Sequence, residues 1–194
     1  MAADRRSTRL LLVGTFLIFF LPIMAAWLLN IFAPDWRPFG TLNHGTLVEP
    51  VRQVSATHLA HVDGSAMDAD YLSGHWTMVH LLDGNCGQSC IDALERSHQV
   101  QLALGDDMQR VQLLLVLLQA VDLQAADLPS GVAVVTAADA WLEKFAFSQT
   151  EPGQTFCLYL VDPQGYLMMR YPADADQRGV LADLERLLKI SKIG

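Results

Sequence analysis

Cys86, Cys90 and Cys157 are the three cysteines of this 194-residue chain. Two of them frame Cys86-Gly87-Gln88-Ser89-Cys90, a C-x-x-x-C spacing. The apolar run His75–Leu82 (HWTMVHLL) comes just before the pair and reads as a buried strand closed by Asp83-Gly84-Asn85. The residues after it, Cys90–Leu104, read as a helix with Ile91, Leu94, His98 and Leu102 near one face. A cysteine at a helix start meets free backbone N–H groups and the positive end of the helix dipole, which stabilise a thiolate. Cys86 is therefore the expected nucleophile and Cys90 its more buried partner. Residues four apart on a helix have Cα atoms about 6 Å apart, within disulfide range. The pair can be a dithiol, a reversible disulfide, a static disulfide, or two soft ligands for Cu(I).

Cys157 falls inside a second apolar run. A small buried hydrophobe is the main reading, with a third ligand or partner thiol as the alternative. Six histidines, His44, His58, His61, His75, His80 and His98, complete the candidate ligands. His80 lies six residues before Cys86 and reads as a core histidine. His98 falls on the apolar side of its helix and reads as packing. His58 and His61 flank a short strand and read as surface residues. The sequence contains no G-x-S-x-G, Walker A, H-E-x-x-H or G-x-G-x-x-G motif. Nothing therefore points to a hydrolase, a nucleotide-binding enzyme or a zinc protease.

The elements that must position the cysteines follow from periodicity. Short strands are expected at Thr46–Val48 and Val51–Ala56. Val111–Leu118 reads as a second buried strand, Gly131–Thr136 as a short strand or loop, and Ala138–Phe147 as a helix. Thr155–Val161 and Tyr166–Tyr171 flank Asp162-Pro163-Gln164-Gly165, a turn with Pro and Gly at suitable positions. Gln177–Ile190 closes the chain as a helix whose Val180, Leu181, Leu184, Leu187 and Leu188 follow the 3.6 period. Strand, helix, strand, helix, hairpin, helix is the thioredoxin-like order: an α/β fold with a mixed central sheet flanked by helices.

Leu10–Leu29 carries 20 residues without a charge, enough to cross a bilayer's hydrocarbon core of about 30 Å as a helix. It is longer than a usual signal core of about 7–15 residues and lacks a small-x-small cleavage pattern. One uncleaved N-terminal transmembrane helix is expected. Arg5, Arg6 and Arg9 before it favour a cytoplasmic N-terminus and an extracytoplasmic remainder. The expected division is a cytoplasmic segment 1–9, an anchor 10–32, a lead-in 33–70 and a thioredoxin-like domain 71–194. From Ala33 onward the chain keeps ten basic and twenty acidic residues. Such a domain has no electrostatic reason to bind nucleic acid.

With these motifs in place, the chain resembles the SCO/SenC family, divergently. The shared features are the N-terminal anchor, Gly74-His75-Trp76 opening a strand, the C-x-x-x-C after it, and Tyr159-Leu160-Val161-Asp162-Pro163-Gln164-Gly165. The segment Asn43–Pro50 (NHGTLVEP) is similar to a lead-in strand of anchored SCO-like proteins. The resemblance spans roughly residues 40–190. It implies an inner-membrane protein with a periplasmic domain that assists cytochrome c oxidase assembly. Its means would be thiol–disulfide exchange at Cys86 and Cys90 and Cu(I) handling by the same two thiols. An oxidase subunit or another thiol protein is then the partner. The family usually carries C-P-D-x-C-P, where this chain has Cys86-Gly87-Gln88-Ser89-Cys90-Ile91. The family's third copper ligand is a His shortly before the Y-L-x-D-P strand, and counting back nine residues from Pro163 gives Gln154. The expectation is Cu(I) binding with poor Cu(II) retention, with His80 and Cys157 as fallback ligands. The alternatives are a general thiol–disulfide oxidoreductase and a non-catalytic interaction module with a degenerate site.

Overall fold

The computed structural model describes residues 2–33, 43–83, 86–119, 128–145, 156–172 and 174–191. It divides into two units, residues 1–42 and 43–194. Among the described residues of the first is one helix, α1 (Ala2–Phe32), with Pro22 inside it. Its stretch Ser7–Phe32 is long and apolar enough to cross a membrane. At 1.5 Å per residue those 26 residues measure about 39 Å, sufficient to span the hydrocarbon core with some tilt. Its large apolar side chains are exposed along its length.

The second unit is built on one seven-stranded sheet in the order β1-β7-β6-β3-β4-β5-β2. The strands are β1 (Thr46–Gln53), β2 (Leu59–His61), β3 (Trp76–Leu82), β4 (Val111–Leu117), β5 (Val132–Ala137), β6 (Phe156–Val161) and β7 (Tyr166–Tyr171). The helices are α2 (Gln88–Ala103), the short α3 (Asp139–Leu142) and α4 (Gln177–Ile190). β3, β4 and β5 run parallel, while β6, β7, β1 and β2 pair antiparallel to their neighbours. This mixed sheet between helical and loop layers is a thioredoxin-like fold.

β3 occupies the centre, with β4 on one side and β6 on the other. Both its faces are covered and all seven of its residues are buried, which explains its near-continuous apolar run. Alternation sends Trp76 and Met78 toward Val100 of α2 and toward Val180, Leu184 and Leu188 of α4. Leu82 joins Cys90, Ala93 and Leu94 near the start of α2. Val79 and Leu81 face the opposite layer, where Ala56, Leu59, Trp141 and Phe145 pack. Each such buried side chain contributes about 1.5–3 kcal/mol relative to exposure.

The structure adjusts several sequence-based boundaries. The two strands expected at 46–48 and 51–56 are one strand, β1, with an irregular register between Leu47 and Arg52. β2 is an edge strand of three residues, where a short strand was expected between His58 and His61. Gly131–Thr136, open between strand and loop, is the strand β5, since parallel pairing to β4 supplies its hydrogen bonds. The helix expected over Ala138–Phe147 is α3 followed by a 3-10 turn at Glu143–Phe145, with 146 and 147 outside the described residues. In α2 the buried face is Cys90, Ala93, Leu94, Ser97 and Val100. Ile91 and His98 are only half-buried, and Leu102 is exposed. Small side chains at 90, 93 and 97 let the helix lie against the sheet, so the stripe of largest residues does not mark the contact.

The Asp162 turn has a specific construction. Its Oδ1 accepts from the backbone N–H groups of Gln164 (2.9 Å) and Tyr166 (2.7 Å). Gly165 sits at φ +81°, and a Cβ there would meet the Val54 carbonyl oxygen at 2.8 Å. Glycine is needed on both counts.

Candidate functional site

The cysteines sit where β3 hands the chain to α2. β3 ends at Leu82, and α2 begins at Gln88 with Gly87 as its N-cap. Gly87 offers no side-chain cap, and its carbonyl accepts from Cys90 N (3.0 Å) and Ile91 N (3.2 Å). Cys86 and Cys90 are joined by a disulfide, with Cα atoms 5.2 Å apart. Cys86 is half-buried, whereas Cys90 is 2 % exposed and packs with Leu82, Ala93, Leu94, Leu115 and Leu117. Cys86 is therefore the more accessible sulfur of the pair and Cys90 the more enclosed one. The first-turn N–H groups of α2 favour negative charge at this position in the reduced pair.

Two polar contacts brace the surroundings. Gln119 Nε2, just past β4, donates to Asp83 Oδ1 at 2.9 Å and links the ends of the two central strands. Gln88 Nε2 donates to Asp92 Oδ1 at 2.7 Å along the exposed side of α2.

His80 lies on β3 with its side chain on the α2 side of the sheet, 1 % exposed. It forms the floor of a cavity of about 30 Å³ walled by Ala93, Arg96, Ser97 and Val100. Burial lowers its pKa to about 3, with the positive charge of Arg96 adding to the effect. His80 is thus a neutral core imidazole one to two helical turns along α2 from Cys90. In backbone register Cys157 pairs with Leu81, and its side chain lies outside the described residues, as does all of Gln154. Among the described residues no group of three or more His, Cys, Asp or Glu could hold a metal ion. The two sulfurs expected as Cu(I) ligands, those of Cys86 and Cys90, are bonded to each other in the structure, so thiolate donors would exist only in the reduced pair.

A second polar centre was not foreseen from the sequence. Asp183 of α4 is 3 % exposed. Its Oδ2 accepts from His44 N (2.8 Å), Gly45 N (3.0 Å) and the Tyr171 hydroxyl (3.1 Å). Its Oδ1 lies 3.2 Å from His44 Nδ1 and 3.6 Å from Arg186 Nη1. Burial works against the carboxylate, but the donors from Gly45, His44 and Tyr171 outweigh it and hold its pKa below the usual value. The Tyr171 hydroxyl is pushed up by burial and by Asp183. The signal in the sequence was an acidic residue three after Val180 and one before Leu184, on the apolar face of an amphipathic helix.

The geometry agrees with comparisons to known proteins. The family model for a transmembrane-like, thioredoxin-like C-terminal domain matches residues 76–191, more than half of the chain. The chain belongs to this family. No curated protein matches it. Among solved structures, apo Sco1 of Thermus thermophilus is similar at a TM-score of 0.57 and 16% identity, covering 78% of this chain and 100% of that one. Copper-bound yeast Sco1 is similar at 0.55 and 15% identity, covering 72% and 95%. BsSco, described with a disulfide switch as a member of the Sco family of cytochrome c oxidase assembly proteins, is similar at 0.52 and 15% identity, covering 74% and 99%. At these identities the likeness establishes the shared thioredoxin-like fold of this family member and the Sco structures.

Proposed function

We propose that this chain is a membrane-anchored thiol–disulfide exchange protein of the Sco type, acting in the assembly of cytochrome c oxidase outside the cytoplasm. One observation carries the reading: a half-exposed Cys86 and a buried Cys90, bonded to each other, at the uncapped start of the helix that follows the central strand. A static staple would contribute little here, because the loop it closes is so short. An exchange centre needs one sulfur open to attack and a second within reach of the first, which is the arrangement of this pair.

The anchor is residues 10–32, with residues 1–9 in the cytoplasm and the cysteines on the periplasmic side. Arg5, Arg6 and Arg9 support this orientation through the positive-inside bias. The reduced pair also suits copper as cargo. Two thiolates are a sufficient donor set for linear Cu(I), and Cys86 and Cys90 would hold it. The copper-bound yeast Sco1 structure on the same fold supports this reading.

Trapping tests the proposal. Cys90→Ser removes the resolving thiol, so Cys86 should accumulate as a mixed disulfide with its partner in cells. Recovery of an oxidase subunit on Cys86, lost in the Cys86→Ser/Cys90→Ser double variant, is the expected result. Trapping of many unrelated periplasmic proteins would instead mark a general oxidoreductase.

A further inference from the structure

α2 and α4 share one face of the sheet, where Val100 packs in one cluster with Val180, Leu184 and Leu188. Beside that contact, at the first turn of α4, the packing opens. The cavity of about 30 Å³ above His80 fills the gap, with Val100, Leu158 and Val180 among its walls. It leads outward to a shallow depression of about 540 Å³ that Asp174 and Asp176 help to line. Arg96, Ala175 and Gln177 line both spaces and so form the neck between them. Neither Cys86 nor Cys90 belongs to either lining.

The polar groups at this neck have unused capacity. Ser97 is 5 % exposed and lines the inner cavity, and its hydroxyl makes no hydrogen bond among the described residues. A helical serine usually turns its hydroxyl to solvent or back to the carbonyl four residues earlier. A buried polar group left open toward a cavity is instead a place for a ligand atom. Arg96 joins no ion pair among the described residues, although two carboxylates line the same depression. Gln177 is the first residue of α4, whose positive end adds to the charge of Arg96. Asp176, the cap of that helix, accepts from the Arg178 N–H at 3.3 Å.

Volume and charge together set the ligand. A water-sized group needs about 10–15 Å³, so the inner cavity takes about two of them, as many as the oxygens of one carboxylate. We propose that the cleft between α2 and α4 binds a small zwitterion of the amino-acid type, its carboxylate between Ser97 and Arg96 and its ammonium toward Asp174 and Asp176. One guanidinium against two carboxylates leaves the mouth net negative, which disfavours a dianion such as sulfate. A plain monocarboxylate answers Arg96 but leaves the two acidic side chains without a cation. His80 on the floor is neutral and adds no further charge. The site is independent of whether the cysteines exchange.

The test is amide NMR of the isotope-labelled full chain in detergent micelles, titrated separately with glycine, acetate and sulfate. Glycine should shift the amides of residues 96–100 and 177–180 saturably, with a Kd of about 1 mM or tighter, acetate should bind at least about fivefold more weakly, and sulfate should leave them in place. Arg96→Gln, a change to an exposed side chain, should weaken glycine at least about tenfold, and Ser97→Ala at least about threefold. Asp174→Asn/Asp176→Asn keeps a capping side chain and should erase the preference for glycine over acetate. The absence of any saturable shift with glycine would leave the cavity to water and overturn the proposal. So would glycine binding that Arg96→Gln leaves unchanged, or acetate or sulfate binding as tightly as glycine.

Discussion

Replacing His80 with leucine should remove an acid-sensitive load from the core. His80 is 1 % exposed, and burial, reinforced by Arg96, lowers its pKa from 6.5 to about 3. The unfolded chain takes up a proton at this residue below about pH 6.5, whereas the folded chain does so only near pH 3. The neutral ring is thus compatible with the fold above pH 6.5, and stability falls as the pH drops from there toward 3. The slope in that window is about 1.4 kcal/mol per pH unit. Between pH 7 and pH 5 the loss is about 2 kcal/mol. That corresponds to roughly 4–8 °C in melting temperature for a chain of this size. The assay is thermal unfolding of the full chain in detergent micelles, followed by near-ultraviolet circular dichroism, which reports on the buried Trp76 and Trp141. His80→Leu should flatten the difference between pH 7 and pH 5 to less than half that of the unmodified chain. Asp183, whose pKa is held below the usual carboxylate value, loses its contribution only at lower pH and leaves this window clear. Equal acid sensitivity in the variant and the unmodified chain would refute the assignment of His80 as a neutral buried base.

Other outcomes follow from the same structure. Asp183→Ala strands the His44 and Gly45 N–H groups and the Tyr171 hydroxyl, and should cost about 2–4 kcal/mol in urea unfolding; a loss below about 0.5 kcal/mol would show that the cluster does not hold the start of β1. After mild reduction, iodoacetamide should label Cys86 several-fold faster than Cys90, as read by peptide mass spectrometry, because Cys90 lies on the buried, sheet-facing side of α2; equal rates would contradict the two-role assignment. Titration of the reduced chain should give one Cu(I) per protein, lost in Cys86→Ser, and weak Cu(II) binding that Gln154→His strengthens; tight stoichiometric Cu(II) binding by the unmodified chain would overturn the two-sulfur reading. Protein isolated from membranes should begin at or near Met1, and a mature N-terminus between residues 26 and 34 would show a cleaved leader instead.

The central βαβ unit and the β6–β7 hairpin were legible because their signals are local. β3 and β4 are apolar on both faces, and the Asp162 turn carries its own Asp, Pro and Gly. The cysteine pair was legible for the same reason, since its meaning lies in what immediately precedes and follows it. The buried face of α2 was not, because it is chosen by the fit of Cys90, Ala93 and Ser97 against the sheet rather than by hydrophobicity. β5 stayed open between strand and loop because its strand character comes from pairing with β4, a segment distant in sequence. The Asp183 centre joins residues 139 positions apart, which no local pattern records. Its one visible trace was an acidic residue on an apolar helix face.

The account stands or falls on whether the Cys86–Cys90 bond opens and closes under physiological conditions. The direct measurement is a redox titration of the full chain in glutathione and dithiothreitol buffers, with acid quenching and mass-shift alkylation of free thiols. The exchange reading predicts a two-electron transition between about −180 and −300 mV, in the range spanned by thiol–disulfide oxidoreductases and their buffers. A pair that stays oxidised well below about −300 mV, where structural disulfides persist, would make the bond a static staple and contradict the proposed function.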